Sequence, residues 1–178
     1  MGTYGFLRIA FPIFLFFSVE YASVIAVLGL ISIIYGALCA MAQTDVKKLV
    51  AYSSVSHMGF VMMGMASMTT QGMNGAVLQM FNHGTSTAML FLMIGVIYER
   101  SHHRWIVKPD GSLGYGGLAK HLPKYTVIFI IGMFASLGLP GLSGFISEAL
   151  IFLFIFPKFT TLTVIAVLGL LLGAAYLL

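Results

Sequence analysis

The sequence predicts an all-α, polytopic transmembrane helix bundle containing one discontinuous helix. Hydrophobic residues fill 60% of the 178 positions and charged residues only 8%, whereas a water-soluble domain carries roughly 25% charged residues. Apolar runs of about 20 residues, the length that crosses a bilayer, recur along the chain. Lysines and arginines gather in alternate connections, the pattern that orients membrane helices.

Residues 22–42, 49–69 and 75–98 each read as one crossing. Residues 125–156 exceed what one crossing needs and are interrupted by GLPGLSG at 138–144. Pro140 lacks a backbone donor, and Gly138 and Gly141 permit a break, so this run reads as two half-helices. Residues 1–17, with Arg8 and Pro12, read as the latter part of a helix, and 161–178 as a partial span. Both ends look cut, so residues 1–178 are expected to be a single membrane-domain fragment. No signal peptide is expected, because the first residues lack a charged leader and a small-residue cleavage site.

Twenty glycines and twelve methionines suit close-packed helices in lipid. The formal charge of +4 is modest and resides in a few loops, which argues for topology and against a nucleic-acid surface. Cys39 is alone, so no disulfide or cysteine cage forms within the chain. The 43–48 loop carries Lys47 and Lys48; the 99–124 loop carries Arg100, Arg104, Lys108, Lys120 and Lys124. The connections SVEY and TTQGMN carry no basic residue. Single crossings place both basic loops on one side, expected to be the cytoplasm or mitochondrial matrix. GSLGYGG in the second loop follows no soluble strand and is not read as a phosphate loop. That loop is expected to form an interfacial turn or a short amphipathic helix.

Ionisable groups within spans are costly and commonly face the bundle interior or a water-filled path. His57, in AYSSVSHMGF, and His83 both fall near the expected midplane, with Ser53, Ser54 and Ser56 around one and Asn82, Thr85 and Ser86 around the other. Ser53 stands four residues from His57 on the same helix face. Such histidines serve either as proton carriers or as plain hydrogen-bonding groups between helices. Glu148 opens the second half-helix, where the dipole favours negative charge; a proton or ion site is the favoured reading, an interfacial carboxylate the bland one. Glu99 and Arg104 read as a boundary ion pair. His102, His103 and His121 show no metal-ligand spacing, and no metal site is expected. There is no haem, iron–sulfur or nucleotide fingerprint.

Three stretches carry a resemblance: AQTDVKKLVAYSSVSHMGF at 42–60, QMFNHGTSTAMLFLMIGVIYER at 79–100 and GLPGLSGFISE at 138–148. They resemble the antiporter-like, proton-translocating subunits of respiratory complex I, most nearly the subunit M (chain 4) branch. Related subunits and Mrp-type antiporters usually carry lysine where this chain has Glu148. The resemblance implies two inverted five-helix repeats, this chain forming part of the second, with its discontinuous helix. It implies a mid-membrane proton relay: Glu148 as the terminal glutamate, His83 and His57 in the central relay and its cytoplasmic access. Ser53, Ser56, Lys47, Glu99 and Arg104 become supporting polar residues, and Gly138, Pro140 and Gly141 the helix break.

The same resemblance places NADH, FMN, iron–sulfur clusters and quinone in the rest of the complex, with no cofactor bound by this chain. The implied partners are other membrane subunits of complex I, the lipid bilayer and protons, with no nucleic acid. The implied location is a bacterial cytoplasmic membrane or the mitochondrial inner membrane. The family's first repeat, with its glutamate–lysine pair and central lysine, is absent. Two alternatives stay open: a subunit of an Mrp-type antiporter or membrane-bound hydrogenase, and a non-pumping truncated piece.

Overall fold

A computed structural model describes residues 2–108, 111–112, 114–115 and 117–177. Met1 and Leu178, at the outer ends of the two partial runs, and Leu113 and Gly116, within GSLGYGG, lie outside the described residues. Six helices carry the fold: α1 (Ala22–Met41), α2 (Val46–Ala66), α3 (Thr70–Ser101), α4 (Pro123–Leu137), α5 (Ser143–Ile155) and α6 (Thr160–Leu177). Among the described residues, α1, α2, α3 and α6 are long and apolar enough to cross a membrane. At about 1.5 Å per residue, α4 and α5 reach only ~20 Å each, short of the ~30 Å hydrocarbon core.

Helices α1 and α2 form an antiparallel hairpin at very close range. A Cβ on Gly59 would lie 2.6 Å from the Gly29 carbonyl oxygen, so only glycine fits there. One turn away, Ser56 Oγ donates to the Ile33 carbonyl at 3.0 Å. Lipid gives helices no hydrophobic reason to associate, so small residues and such bonds hold the pair. The start of α2 is set by Asp45, whose carboxylate accepts from the backbone N–H groups of Lys47 (2.8 Å) and Lys48 (3.3 Å).

Helix α3 is longer than the apolar run 75–98. Thr69 caps its start by accepting from the Gly72 N–H at 3.1 Å, and His102 ends it in the left-handed region at φ 53. Hydropathy stops at the interface, whereas helical hydrogen bonding continues through the polar residues beyond it. The chain then returns toward the start of α2. Val46 N–H donates to the Arg104 carbonyl (3.1 Å) and Ile106 N–H to that of Thr44 (2.7 Å), with Asp45 and Trp105 paired in a lone antiparallel bridge. Both basic connections therefore meet at one end of the bundle. A short helix, Leu118–His121, leads into α4. At the other end, Lys158 Nζ donates to the Ala66 and Ser67 carbonyls at 3.2 and 3.5 Å, across the negative end of the α2 dipole. Partial burial lowers the Lys158 pKa from its ordinary value.

The break between α4 and α5 follows the glycines and proline. Gly138 (φ 71) and Gly141 (φ 97) both occupy the left-handed region. The Leu142 N–H bonds back to the Leu139 carbonyl at 3.0 Å, closing a turn before α5 begins. The N-terminal stretch corrects the expectation of one helix end. It consists of short pieces, Gly2–Gly5, a π-helical segment Phe6–Ala10, Phe11–Ile13 and Leu15–Glu20, interrupted at Phe14. Pro12 removes a donor there and its ring crowds the preceding turn, which accounts for the irregularity.

The buried apolar core lies where α1, α2, α5 and α6 meet, around Ile33, Phe60, Met63, Ile151 and Ala166. Leu28 and Ile31 of α1, Leu153 of α5 and Leu171 of α6 point outward and are exposed. An outer surface this apolar belongs against lipid.

Candidate functional site

The polar interior is assembled by four helices around the start of α5. Gln79, Asn82, His83 and Ser86 recur at three- and four-residue spacing and so occupy one stripe of α3. Ser147 and Glu148 lie in the first turns of α5, His57 comes from α2 and Ser136 from α4. Glu148 is 4% exposed and His57 6%. A carboxyl and an imidazole at that depth are tolerated only where other polar groups meet them.

Those groups are present. Gln79 Nε2 donates to Glu148 Oε1 at 3.3 Å. The Ser147 hydroxyl donates to Gln79 Oε1, which turns the amide nitrogen toward the carboxyl. Asn82 Nδ2 donates to the Ser143 carbonyl at 2.9 Å and to Ser147 Oγ at 3.2 Å, so the first turn of α5 is tied to α3. Gly138 completes the setting, because a Cβ there would stand 2.5 Å from Glu148 Oε2. The break thus does two things: it ends α4 and it clears space for the carboxyl.

His57 Nδ1 lies 3.8 Å from Glu148 Oε1, too long for a hydrogen bond but close enough for strong electrostatic coupling. The His57 and His83 rings have centroids 5.3 Å apart, tilted by 37°. Ser136 Oγ lies 3.3 Å from His57 Nε2, and Thr87 Oγ1 lies 3.2 Å from His83 Nδ1. Three proton-exchanging side chains therefore form one contiguous group at the helix break.

Other sequence candidates fall elsewhere. The hydroxyl beside His57 is that of Ser136; Ser53 Oγ donates to the Val50 carbonyl at 2.8 Å, and Ser56 to α1 as above. Each serine has one proton, and these are engaged by backbone. Lys47 is exposed at the start of α2 and Glu99 is exposed at the end of α3. The expected Glu99–Arg104 pair is corrected: Arg104 Nε lies 3.6 Å from Asp45 Oδ2. The left-handed turn at His102 takes Arg104 off the face of α3 that bears Glu99, and the bridge brings Asp45 to it. Among the described residues no cluster of three metal-ligating side chains occurs; His103 stacks on Tyr115, centroids 4.8 Å apart.

Sequence reasoning picked out Asn82 beside His83 but missed Gln79, Ser147, Ser136 and Tyr176, the last of which lines a small cavity with His57 and Glu148. Gln79 had a signal, since it shares a periodic polar stripe with Asn82 and His83. Ser147 adjoins Glu148. Ser136 and Tyr176 stand alone in apolar runs, and only tertiary packing brings them to the site.

A helix bundle whose discontinuous helix carries a buried carboxyl beside two imidazoles has the architecture of the membrane proteins built with broken helices. Comparison with known proteins gives the family. The family model described as NADH:quinone oxidoreductase/Mrp antiporter, TM, matches residues 1–173, and the chain belongs to that family. It is a multi-pass membrane protein. NADH-quinone oxidoreductase subunit M of Rickettsia felis is 46% identical over 177 residues, covering 99% of this chain and 35% of the relative. Respiratory complex I from Thermus thermophilus with bound NADH contains a chain that superposes with a TM-score of 0.92 at 34% identity, over 99% of this chain and 36% of that one. The Mrp complex from a Dietzia species shares the fold, with a TM-score of 0.80 at 23% identity over 89% of this chain and 29% of its own. The chain spans about a third of the length of the curated relatives it matches.

Proposed function

We propose that this chain forms part of a subunit M-type membrane subunit in a proton-translocating NADH:quinone oxidoreductase. Protons pass through the group of His83, His57 and Glu148, driven by electron transfer elsewhere in the complex. The observation that carries this reading is the buried Glu148, held at the helix break by Gln79 and placed 3.8 Å from His57. A carboxyl fixed there serves as a proton acceptor and donor, and the two imidazoles beside it extend the path.

On this reading Ser53, Ser56, Lys47, Glu99 and Arg104 act as supporting polar groups, and Gly138, Pro140 and Gly141 keep the helix open at the carboxyl. NADH, FMN, iron–sulfur clusters and quinone are held by other subunits, and redox catalysis takes place there. The chain forms one membrane domain with crossings about 22–42, 49–69, 75–98 and 125–156, the last broken, and partial ones at 1–17 and 161–178. The basic loops face the cytoplasm or matrix of a bacterial cytoplasmic or mitochondrial inner membrane. The partners are the neighbouring antiporter-like subunits.

Membrane vesicles from the source, with and without the chain, test the assignment. NADH should acidify the vesicle lumen only when the chain is present, and the chain should purify with NADH:quinone reductase activity. Cation-driven proton exchange that ignores NADH would assign the chain to an antiporter instead.

A further inference from the structure

Tyr176, near the end of α6, is 8% exposed; its hydroxyl faces the Ser56 hydroxyl but lies within hydrogen-bond distance of no group among the described residues. His57 Nδ1 is buried in the same condition. Polar atoms this deep in a bilayer protein are costly unless something satisfies them. Both residues line one small cavity of about 10 Å³, together with Ser56 and Glu148.

The size of that cavity decides what fits. A cavity of about 10 Å³ leaves room for the centre of one water molecule and excludes larger ligands. Water also needs two to four polar partners. The Tyr176 hydroxyl, His57 Nδ1, the Glu148 carboxyl and the Ser56 hydroxyl offer them. We propose that one water molecule is bound between Tyr176, His57 and Glu148, and that Tyr176 is a proton-relay residue of this site.

The position of Tyr176 suits that role. It also lines a larger cavity of about 290 Å³, shared with Val50, Leu90, Ile94, Tyr115 and Tyr125, which extends to the basic-loop end. The tyrosine is thus a wall common to both spaces. The larger cavity is mostly apolar, and spaces of that kind hold water poorly; the hydroxyl marks the point where the polar chamber begins. In one relay step, the bound water gives a proton to Glu148 or His57 as it takes one from the tyrosine hydroxyl. A proton from the basic-loop side, carried by water that enters the larger cavity transiently, passes to the phenolate oxygen and restores the hydroxyl. One net proton moves from that side to Glu148 or His57, no hydroxide is left behind, and no bond between heavy atoms changes.

This inference rests on the proton-translocating reading above, and its test is separable from that reading. Electron microscopy of the intact complex, at a resolution that shows ordered water, should reveal one density peak about 2.7–3.2 Å from the Tyr176 hydroxyl and from His57 Nδ1 or Glu148. Tyr176→Phe keeps the ring and removes the hydroxyl. It should lose the peak, slow coupled turnover about fivefold at wild-type assembly, and raise the solvent isotope effect in heavy water. A Tyr176 hydroxyl bonded directly to protein with no such peak would overturn the water site. Wild-type turnover and isotope effect in Tyr176→Phe would overturn the relay role. Normal pumping by Glu148→Gln would sink the role given to Glu148 and leave the density peak to decide the water site.

Discussion

The α1–α2 hairpin and the meeting of α3 with α5 solve the same problem in opposite ways. Between α1 and α2 the backbones approach until only glycine fits, and the contact is mostly apolar, with the Ser56 hydroxyl donating to the Ile33 carbonyl across it. Between α3 and α5 the contact runs through Gln79, Asn82, Ser147 and Glu148, each engaged by another. Close apolar packing suffices to hold helices together in lipid. A second interface built from buried polar groups needs a reason beyond adhesion, and on the proposed function that reason is proton transfer at Glu148. One interface then holds the helices and the other handles charge.

The contrast can be broken by substitution. The largest effect is expected at the glycine contact. Gly59→Leu forces a side chain against the Gly29 carbonyl and should abolish the assembled protein, measured as complex recovered from membranes. At the polar interface the expected losses are in function, with assembly retained. His57→Ala should cut coupled turnover by about tenfold, and by less than Glu148→Ala does. An equal or larger loss would make His57 the principal group. Gln79→Leu removes one N–H from the Glu148 carboxyl and should cost about fivefold in the same assay. The smallest effect is expected at the basic end. Arg104→Ala removes a half-exposed guanidinium from its pair with the buried Asp45 and should cost no more than about 1 kcal/mol of thermal stability, with pumping reduced less than about twofold. If the arginine change impairs pumping more than Gln79→Leu does, the division of labour between the two regions is wrong.

Much of this was legible in the sequence because lipid imposes simple demands. Apolar run length located α1, α2 and α6 closely, and GLPGLSG announced the break through residues that cannot continue a helix. Run length failed at α3, because a helix does not end where hydropathy does, and at the N-terminal stretch, where Pro12 disrupts regular bonding. The ionisable groups of the site were legible as costly residues in apolar runs. Their neighbours were less so. Gln79 and Asn82 lay on a periodic stripe with His83, but Ser136 and Tyr176 reach His57 only through the rotation and crossing of α4 and α6, which no local pattern encodes. The Asp45–Arg104 pair was hidden for the same reason, since a left-handed turn and a backbone bridge bring the two together.

The role of Glu148 is tested most directly by the proton yield of the intact complex in proteoliposomes, measured as NADH-driven uptake with Glu148→Gln beside wild type. The substitution keeps size and hydrogen bonding and removes the exchangeable acid. Proton uptake is expected to fall by roughly a hundredfold with the complex fully assembled. Wild-type uptake by Glu148→Gln would contradict the assignment of proton transfer to the polar interface.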